Sequence, residues 1–78
     1  MLKIKDSVEL DELKKFGFEK VGDFYRFDFE CVYMSEIIID KPTRKIEIDG
    51  EIGYYEVDKY NDIIYELIKA DMVEKVEN

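Results

Sequence analysis

The sequence predicts an α+β domain in which a three-stranded antiparallel sheet packs two helices on one face, in the order α-β-β-β-α. Two observations predict this fold. The middle of the chain alternates apolar and polar residues with a period of two, as half-buried strands do. The flanking segments carry a helix stop signal and an apolar stripe at helical spacing. The 78 residues correspond to one small domain, so we expect a single domain over residues 1–78.

The first element is a predicted short helix over residues 7–16. Asp6 or Ser7 can cap its N-terminus, and Glu9 stands three residues after Asp6, as in a capping box. Acidic residues occupy the first turn and lysines the last turn, an order that the helix dipole favours. The sequence therefore predicts a helix that begins close to Ser7.

The end of this helix is predicted at Gly17, which suits the left-handed residue that follows many helices. Phe18 and Leu13 then occupy the two positions that touch in a Schellman motif. Residues 18–21 can add a short fourth strand before Gly22, so the predicted sheet has three strands, or four with this segment.

Three strands follow in the predicted sheet. The first places its apolar residues on one face: Tyr25, Phe27, Phe29 and Cys31. The second covers residues 35–40, with Ile37 and Ile39 on one face, and a turn with the single proline, Pro42, ends it. The third strand places Ile46, Ile48, Ile52 and Tyr54 on one face and Glu47, Asp49, Glu51 and Tyr55 on the other.

The last predicted element is an amphipathic helix capped by Asp58. Its apolar residues follow helical spacing and form one stripe: Tyr60, Ile63, Ile64, Leu67 and Ile68. Residues 72–76 form either a short strand or a frayed tail, and the pattern does not decide between them.

The composition excludes several functional classes. The chain has 20 acidic and 12 basic residues, a net charge of −8 and no histidine. An acidic domain binds nucleic acid poorly and is repelled by anionic membranes. A single cysteine, Cys31, cannot form an internal disulfide or anchor zinc. We therefore expect no catalytic, cofactor-binding or metal-binding residue, no direct binding of nucleic acid or membrane, and a location in the cytoplasm.

The charge pattern of the third strand is the feature of the sequence that indicates a function. Its outward carboxylates stand about 7 Å apart along the strand, and Asp28, Glu30 and Glu36 can extend the same face. One interpretation is a solvated face that protects a sheet edge. The other is an anionic surface that engages a basic protein surface in the manner of nucleic acid. The candidate partner-binding residues are Glu47, Asp49, Glu51, Asp28, Glu30 and Tyr55.

Three segments, ELKKFGF at residues 12–18, RKIEI at 44–48 and IYELIKADMVEKV at 64–76, resemble small uncharacterised phage- or prophage-encoded proteins of Gram-positive bacteria. The resemblance implies a phage-type accessory protein in the cytoplasm of a bacterial host cell, and it transfers no functional residue.

The leading hypothesis is a non-enzymatic protein that binds a basic partner, such as a nucleic-acid-binding protein, through its acidic surface. Its sharper form is an inhibitor of a host nucleic-acid-handling or defence system, for example a CRISPR nuclease. The alternative hypothesis is a small structural homo-oligomer without inhibitory activity.

Overall fold

The computed structural model describes residues 1–29, 35–50 and 56–76. In these ranges the chain forms six strands, one 3₁₀ helix and one α-helix. In chain order they are β1 (Leu2–Ile4), the 3₁₀ helix (Leu10–Phe16), β2 (Glu19–Val21), β3 (Phe24–Asp28), β4 (Glu36–Asp40), β5 (Ile46–Asp49), α1 (Glu56–Lys69) and β6 (Val73–Lys75).

The strands form two antiparallel sheets, one with the order β2-β3-β4-β5 and one that pairs β1 with β6. The predicted three-stranded sheet in the order α-β-β-β-α is therefore wrong, although the chain is α+β. The physical reason is that the strands at the two ends of the chain have only three residues each. Each is too short to display a periodic pattern, and each depends on its distant partner for hydrogen bonds.

The four-stranded sheet has one face toward the core and one face away from it. Cross-strand neighbours lie on the same side of a sheet, so the register assigns each residue to a face. The core face carries Tyr25, Phe27, Ile37, Ile39, Ile46 and Ile48. The opposite face, called the outer face below, carries Glu19, Val21, Phe24, Arg26, Asp28, Glu36, Ile38, Asp40, Glu47 and Asp49. The predicted alternation of β3, β4 and β5 is confirmed within the described residues.

The hydrophobic core combines the core face of this sheet with side chains from both helices and from the terminal strands. Its buried members are Ile4, Leu13, Phe18, Tyr25, Phe29, Ile37, Ile39, Ile46, Ile64, Leu67 and Met72. Ile37 and Ile39 are fully buried, so the centre of β4 is the centre of the core.

The first helix differs from its prediction at its start and in its form, which is 3₁₀ and not α. It begins at Leu10, its N-cap residue is Glu9, and no side chain caps it. The predicted caps at Asp6 and Ser7 are therefore wrong, and the short segment adopts the tighter 3₁₀ form that is common in short helices. Its predicted end is confirmed, because Gly17 has a φ of 93°.

The hydrogen bonds at this end form a Schellman motif. The Phe18 N–H donates to the Leu13 carbonyl at 3.2 Å, and the Gly17 N–H donates to the Lys14 carbonyl at 3.2 Å. Leu13 and Phe18 are both buried in the core. The motif thus carries the chain from the helix into β2 with apolar residues on both sides of the turn.

The α1 helix begins at Glu56, so the predicted cap Asp58 lies inside the helix and not at its start. Ile64 and Leu67 are buried as predicted, but Ile68 is 52% exposed and does not belong to the buried stripe. No helix in the described ranges is long and apolar enough to cross a membrane.

A second Schellman motif ends α1, with Asp71 in the left-handed conformation at a φ of 58°. The Met72 N–H donates to the Leu67 carbonyl at 3.1 Å, and the Asp71 N–H donates to the Ile68 carbonyl at 2.9 Å. The chain then forms β6, which decides the open alternative for residues 72–76 in favour of a strand.

Candidate binding face

The outer face of the four-stranded sheet is strongly acidic because polar residues alternate with the apolar core residues on each strand. It carries the carboxylates Glu19, Asp28, Glu36, Asp40, Glu47 and Asp49. Among the paired strand residues that the structure describes on this face, Arg26 is the only base. Six carboxylates and one guanidinium give this face a formal charge of −5, more than half of the net charge of −8.

The carboxylates form rows and columns set by the sheet. Asp28, Glu36 and Asp49 are cross-strand neighbours on β3, β4 and β5, so their backbones are about 4.8 Å apart from strand to strand. Along β5, the side chains of Glu47 and Asp49 leave the strand about 7 Å apart. Imitation of a nucleic acid requires at least two neighbouring columns of charge. β5 provides one column through Glu47 and Asp49, whereas on β4 Ile38 lies between Glu36 and Asp40 on this face.

Arg26 neutralises one side of this face. Its Nε donates to Glu19 Oε1 at 2.7 Å, its Nη1 lies 3.4 Å from Glu36 Oε2, and its Nη2 lies 4.0 Å from Asp28 Oδ2. The hydrogen bond to Glu19 is the main cause that raises the pKa of the Arg26 guanidinium. Charge on β2, β3 and β4 is therefore partly compensated.

Charge on β5 is not compensated in this way. Glu47 and Asp49 are exposed, and neither forms an ion pair with any residue in the described ranges. Because two like charges on one strand repel each other, a basic group placed against them would gain more than one placed near Arg26. The β5 side is thus the most attractive part of the face for a cation.

The structure places three of the six predicted binding residues on this face. Asp28, Glu47 and Asp49 point away from the core together. The other three predicted residues, Glu30, Glu51 and Tyr55, lie outside the described residues.

Sequence reasoning missed the roles of Glu19 and Arg26. They face each other across the β2–β3 hairpin, whose two-residue loop begins at Gly22 with a φ of 57°. A glycine at the first loop position is a typical signal of a tight hairpin. A hairpin predicted from this glycine would pair residues 19–21 with residues 24–26 and would place Glu19 opposite Arg26.

A second polar group lies on the other side of the sheet, where the buried Tyr25 hydroxyl donates to Asp11 Oδ1 at 2.5 Å. This bond lowers the pKa of Asp11, with a further contribution from Lys14. The same bond raises the pKa of Tyr25. The hydrogen bond between Tyr25 and Asp11 ties the 3₁₀ helix to β3 and gives the buried hydroxyl its partner. Elsewhere, desolvation and the nearby Lys20 lower the pKa of Lys41.

A third polar feature is a groove where the two sheets meet. Three lysines and one acid line it together with Thr43 and Val76: Lys3, Lys45, Lys75 and Glu74. Lys3 lies 3.3 Å from Asp6 and 3.4 Å from Glu74, and the hydrogen bond to Asp6 is the main cause that raises its pKa. Because Lys45 immediately precedes β5 and has the parity of Glu47 and Asp49, this groove adjoins the outer face at the start of β5. Within the described ranges, no three carboxylate or cysteine side chains are grouped as metal ligands.

Comparison with known proteins adds no assignment. No protein family, curated protein or solved structure matches the chain. The geometry of the outer face and the charges on it therefore carry the functional argument.

Proposed function

We propose that the chain is a non-enzymatic accessory protein that binds a basic surface of a protein partner through its outer face. The observation that supports this proposal is that six carboxylates and one arginine occupy the paired strand positions of a single sheet face. Charge of one sign on one face steers a complementary partner and raises its association rate.

The partner class that fits best is a nucleic-acid-binding protein, since its binding groove is built to receive rows of negative charge. The outer face offers one such row across the strands, Asp28, Glu36 and Asp49, with a spacing of about 5 Å, and the β5 pair along one strand with a spacing of about 7 Å. The resemblance to phage-encoded proteins suggests the sharper form of the proposal. In that form the chain inhibits a nucleic-acid-handling or defence system, such as a CRISPR nuclease, in the cytoplasm of a bacterial host.

The second candidate is a structural homo-oligomer. Two large side chains one helical turn apart on α1 favour it: Tyr65 is 60% exposed and Ile68 is 52% exposed. Burial of both against a second copy would stabilise a dimer by removing apolar surface from water. This candidate predicts self-association that added salt does not weaken.

The test compares two double variants with the same change in net charge. Glu47→Lys with Asp49→Lys reverses the uncompensated pair on β5. Asp58→Lys with Asp62→Lys is the control, because both residues are exposed on α1, away from the outer face. Proteins captured from a bacterial lysate on each immobilised variant are identified at low and at physiological salt.

We expect the β5 variant, but not the α1 variant, to lose the basic proteins that the native chain retains. Retention by the native chain should weaken with salt, since the screening length falls to about 8 Å at physiological ionic strength. The captured partner should also lose its nucleic acid in competition with the native chain. Equal capture by both variants would refute the proposal, and capture of the chain's own copies alone would favour the homo-oligomer.

A further inference from the structure

The outer edge of β5 is only partly covered by another strand. The Asp40 N–H donates to the Lys45 carbonyl at 3.3 Å. Because hydrogen-bonded residues alternate along an antiparallel strand, the backbone groups of Ile46 and Ile48 point away from β4. β1 covers the start of this edge through its bridge between Lys3 and Lys45. Of the strands in the described ranges, none pairs with the edge at Ile48.

β5 differs from the other strand edges that the described residues leave open. β2 and β6 have three residues each and carry Lys20 and Lys75. Short length and lysine are two devices that keep sheet edges from pairing with other chains. β5 has no lysine, and no strand in the described ranges pairs with its edge at Ile48. Its edge is therefore the better template for a further strand.

An apolar groove runs beside this edge. The residues that line it are Met1, Leu2, Ile46, Glu47, Ile48 and Tyr60. Ile48 is 40% exposed and Met1 is 69% exposed, although Ile48 belongs to the core face of the sheet. The edge thus has an apolar surface on its core side and the carboxylates of Glu47 and Asp49 on its outer side.

We propose that an extended basic segment of a partner protein adds to the edge of β5 as a further strand. Main-chain hydrogen bonds to the edge would provide affinity, and alternate side chains would provide specificity. Side chains beside Glu47 and Asp49 would be lysine or arginine, and the residues between them would be apolar and cover the groove. This inference rests on the proposed function and specifies the form in which the basic partner binds.

A second copy of the chain is a poorer occupant of the same edge. Edge-to-edge pairing of two β5 strands would bring the carboxylates of Glu47 and Asp49 against those of the other copy. Like charges directly opposite one another destabilise a sheet, and each chain carries a net charge of −8. Charge complementarity therefore favours a basic segment over self-association.

Three labelled peptides test the proposal by fluorescence anisotropy. The first alternates four lysines with three valines. The second has the same composition with all lysines before all valines. The third repeats the first with its valine amides methylated, which removes main-chain donors and keeps the charge. Loss of about two cross-strand side-chain pairs corresponds to about tenfold weaker binding, so we expect the first peptide to bind at least about tenfold more tightly than either control.

Two variants at one position test the edge itself. Ile48→Pro removes an N–H that points away from β4, so it blocks the edge and leaves the β4–β5 hydrogen bonds in place. Ile48→Val keeps the edge. We expect Ile48→Pro to raise the dissociation constant of the alternating peptide at least about tenfold. Ile48→Val should leave this dissociation constant unchanged. Urea unfolding verifies that each variant folds. If Ile48→Pro does not fold, the methylated peptide still tests strand addition, because it is measured on the native chain.

The outcomes separate this inference from the proposed function. Equal binding of all three peptides, with loss of that binding in the double variant of Glu47 and Asp49, would overturn strand addition and leave an acidic binding face. Equal binding that survives in the double variant would overturn both. A dimer of the native chain that Ile48→Pro abolishes would show that the edge serves self-association and would also overturn the inference.

Discussion

Replacement of Gly17 by alanine tests the packing between the 3₁₀ helix and the sheet. Gly17 has a φ of 93°, a region that L-residues rarely adopt. A β-carbon at this position would lie 2.9 Å from Phe27 Cε2 and 3.3 Å from Phe27 Cδ2. Gly17→Ala therefore introduces both backbone strain and a steric clash.

The clash cannot be relieved easily, because Phe27 is held by two other rings. It makes edge contacts with Phe18 and Phe29, each at 5.6 Å between ring centres. The left-handed backbone costs an alanine about 1 to 2 kcal/mol, and an overpacked contact costs about 1 to 3 kcal/mol. Together they amount to a large part of the roughly 4 to 12 kcal/mol that a domain of this size has at about 0.05 to 0.15 kcal/mol per residue.

The control is Gly22→Ala in the β2–β3 loop. Gly22 has a φ of 57°, but nothing lies within 4 Å of the β-carbon that alanine would add. Its cost is therefore that of the backbone alone, and the difference between the two variants measures the clash with Phe27 together with the less favourable φ of Gly17. Urea unfolding followed by circular dichroism should place the midpoint of Gly17→Ala well below that of Gly22→Ala. Equal midpoints would show that Phe27 moves freely and would refute the packing argument.

Three further predictions concern single residues. Asp71→Gly should unfold at the same or higher urea concentration than the native chain, and Asp71→Ala at a lower one, because Asp71 has a φ of 58° and its ion pair with Lys5 is largely exposed. Tyr25→Phe should cost about 1 kcal/mol at neutral pH. The hydrogen bond to Asp11 raises the pKa of Tyr25 above its ordinary value. Urea midpoints should therefore show the advantage of the native chain intact from neutral pH to about pH 10 and lost as the pH rises through the folded pKa. Arg44→Ala should lower stability by about 2 kcal/mol or more, because Nη1 of Arg44 donates to two backbone carbonyls. Arg44→Gly should lower it less, since the φ of Arg44 is 62°.

The sequence alone predicts the faces of the central strands correctly, because alternation is a local property of the chain. Tyr25, Ile37, Ile39 and Ile46 were assigned to the core, and all four are buried. One side of each strand must be apolar wherever a sheet covers a core, so composition and spacing determine the assignment without knowledge of strand order.

The terminal strands and the helix limits depend on distant contacts. Residues 2–5 alternate apolar and polar, but three-residue strands become evident only when both partners are known, and Leu2 pairs with Lys75 at the other end of the chain. On α1, Ile68 lies about 100° around the helix from Leu67. The apolar stripe in the sequence is therefore wider than the surface that the small sheet offers, and Ile68 remains exposed.

The binding face was predicted in part for the same reason. Asp28 and Glu47 follow from strand parity, whereas the pairing of Glu19 with Arg26 follows from the hairpin, which the sequence left as an option. The hydrogen bond between these two residues, at 2.7 Å, changes the interpretation of the face. It divides an acidic surface into a compensated side and an uncompensated side.

Arg26 therefore provides a final prediction that separates a solvated face from a binding face. Arg26→Gln removes the positive charge that Glu19, Asp28 and Glu36 share on the outer face. Folding stability should fall modestly, because the Arg26 side chain is 35% exposed and exposed ion pairs contribute little. If the face binds a basic partner, the same variant should increase both the affinity for that partner and its dependence on salt, since more negative charge faces the bound surface. Titration of the native chain and of Arg26→Gln with the captured partner at two salt concentrations measures both effects. A less stable variant with unchanged affinity would mean that the carboxylates of this face serve solubility alone.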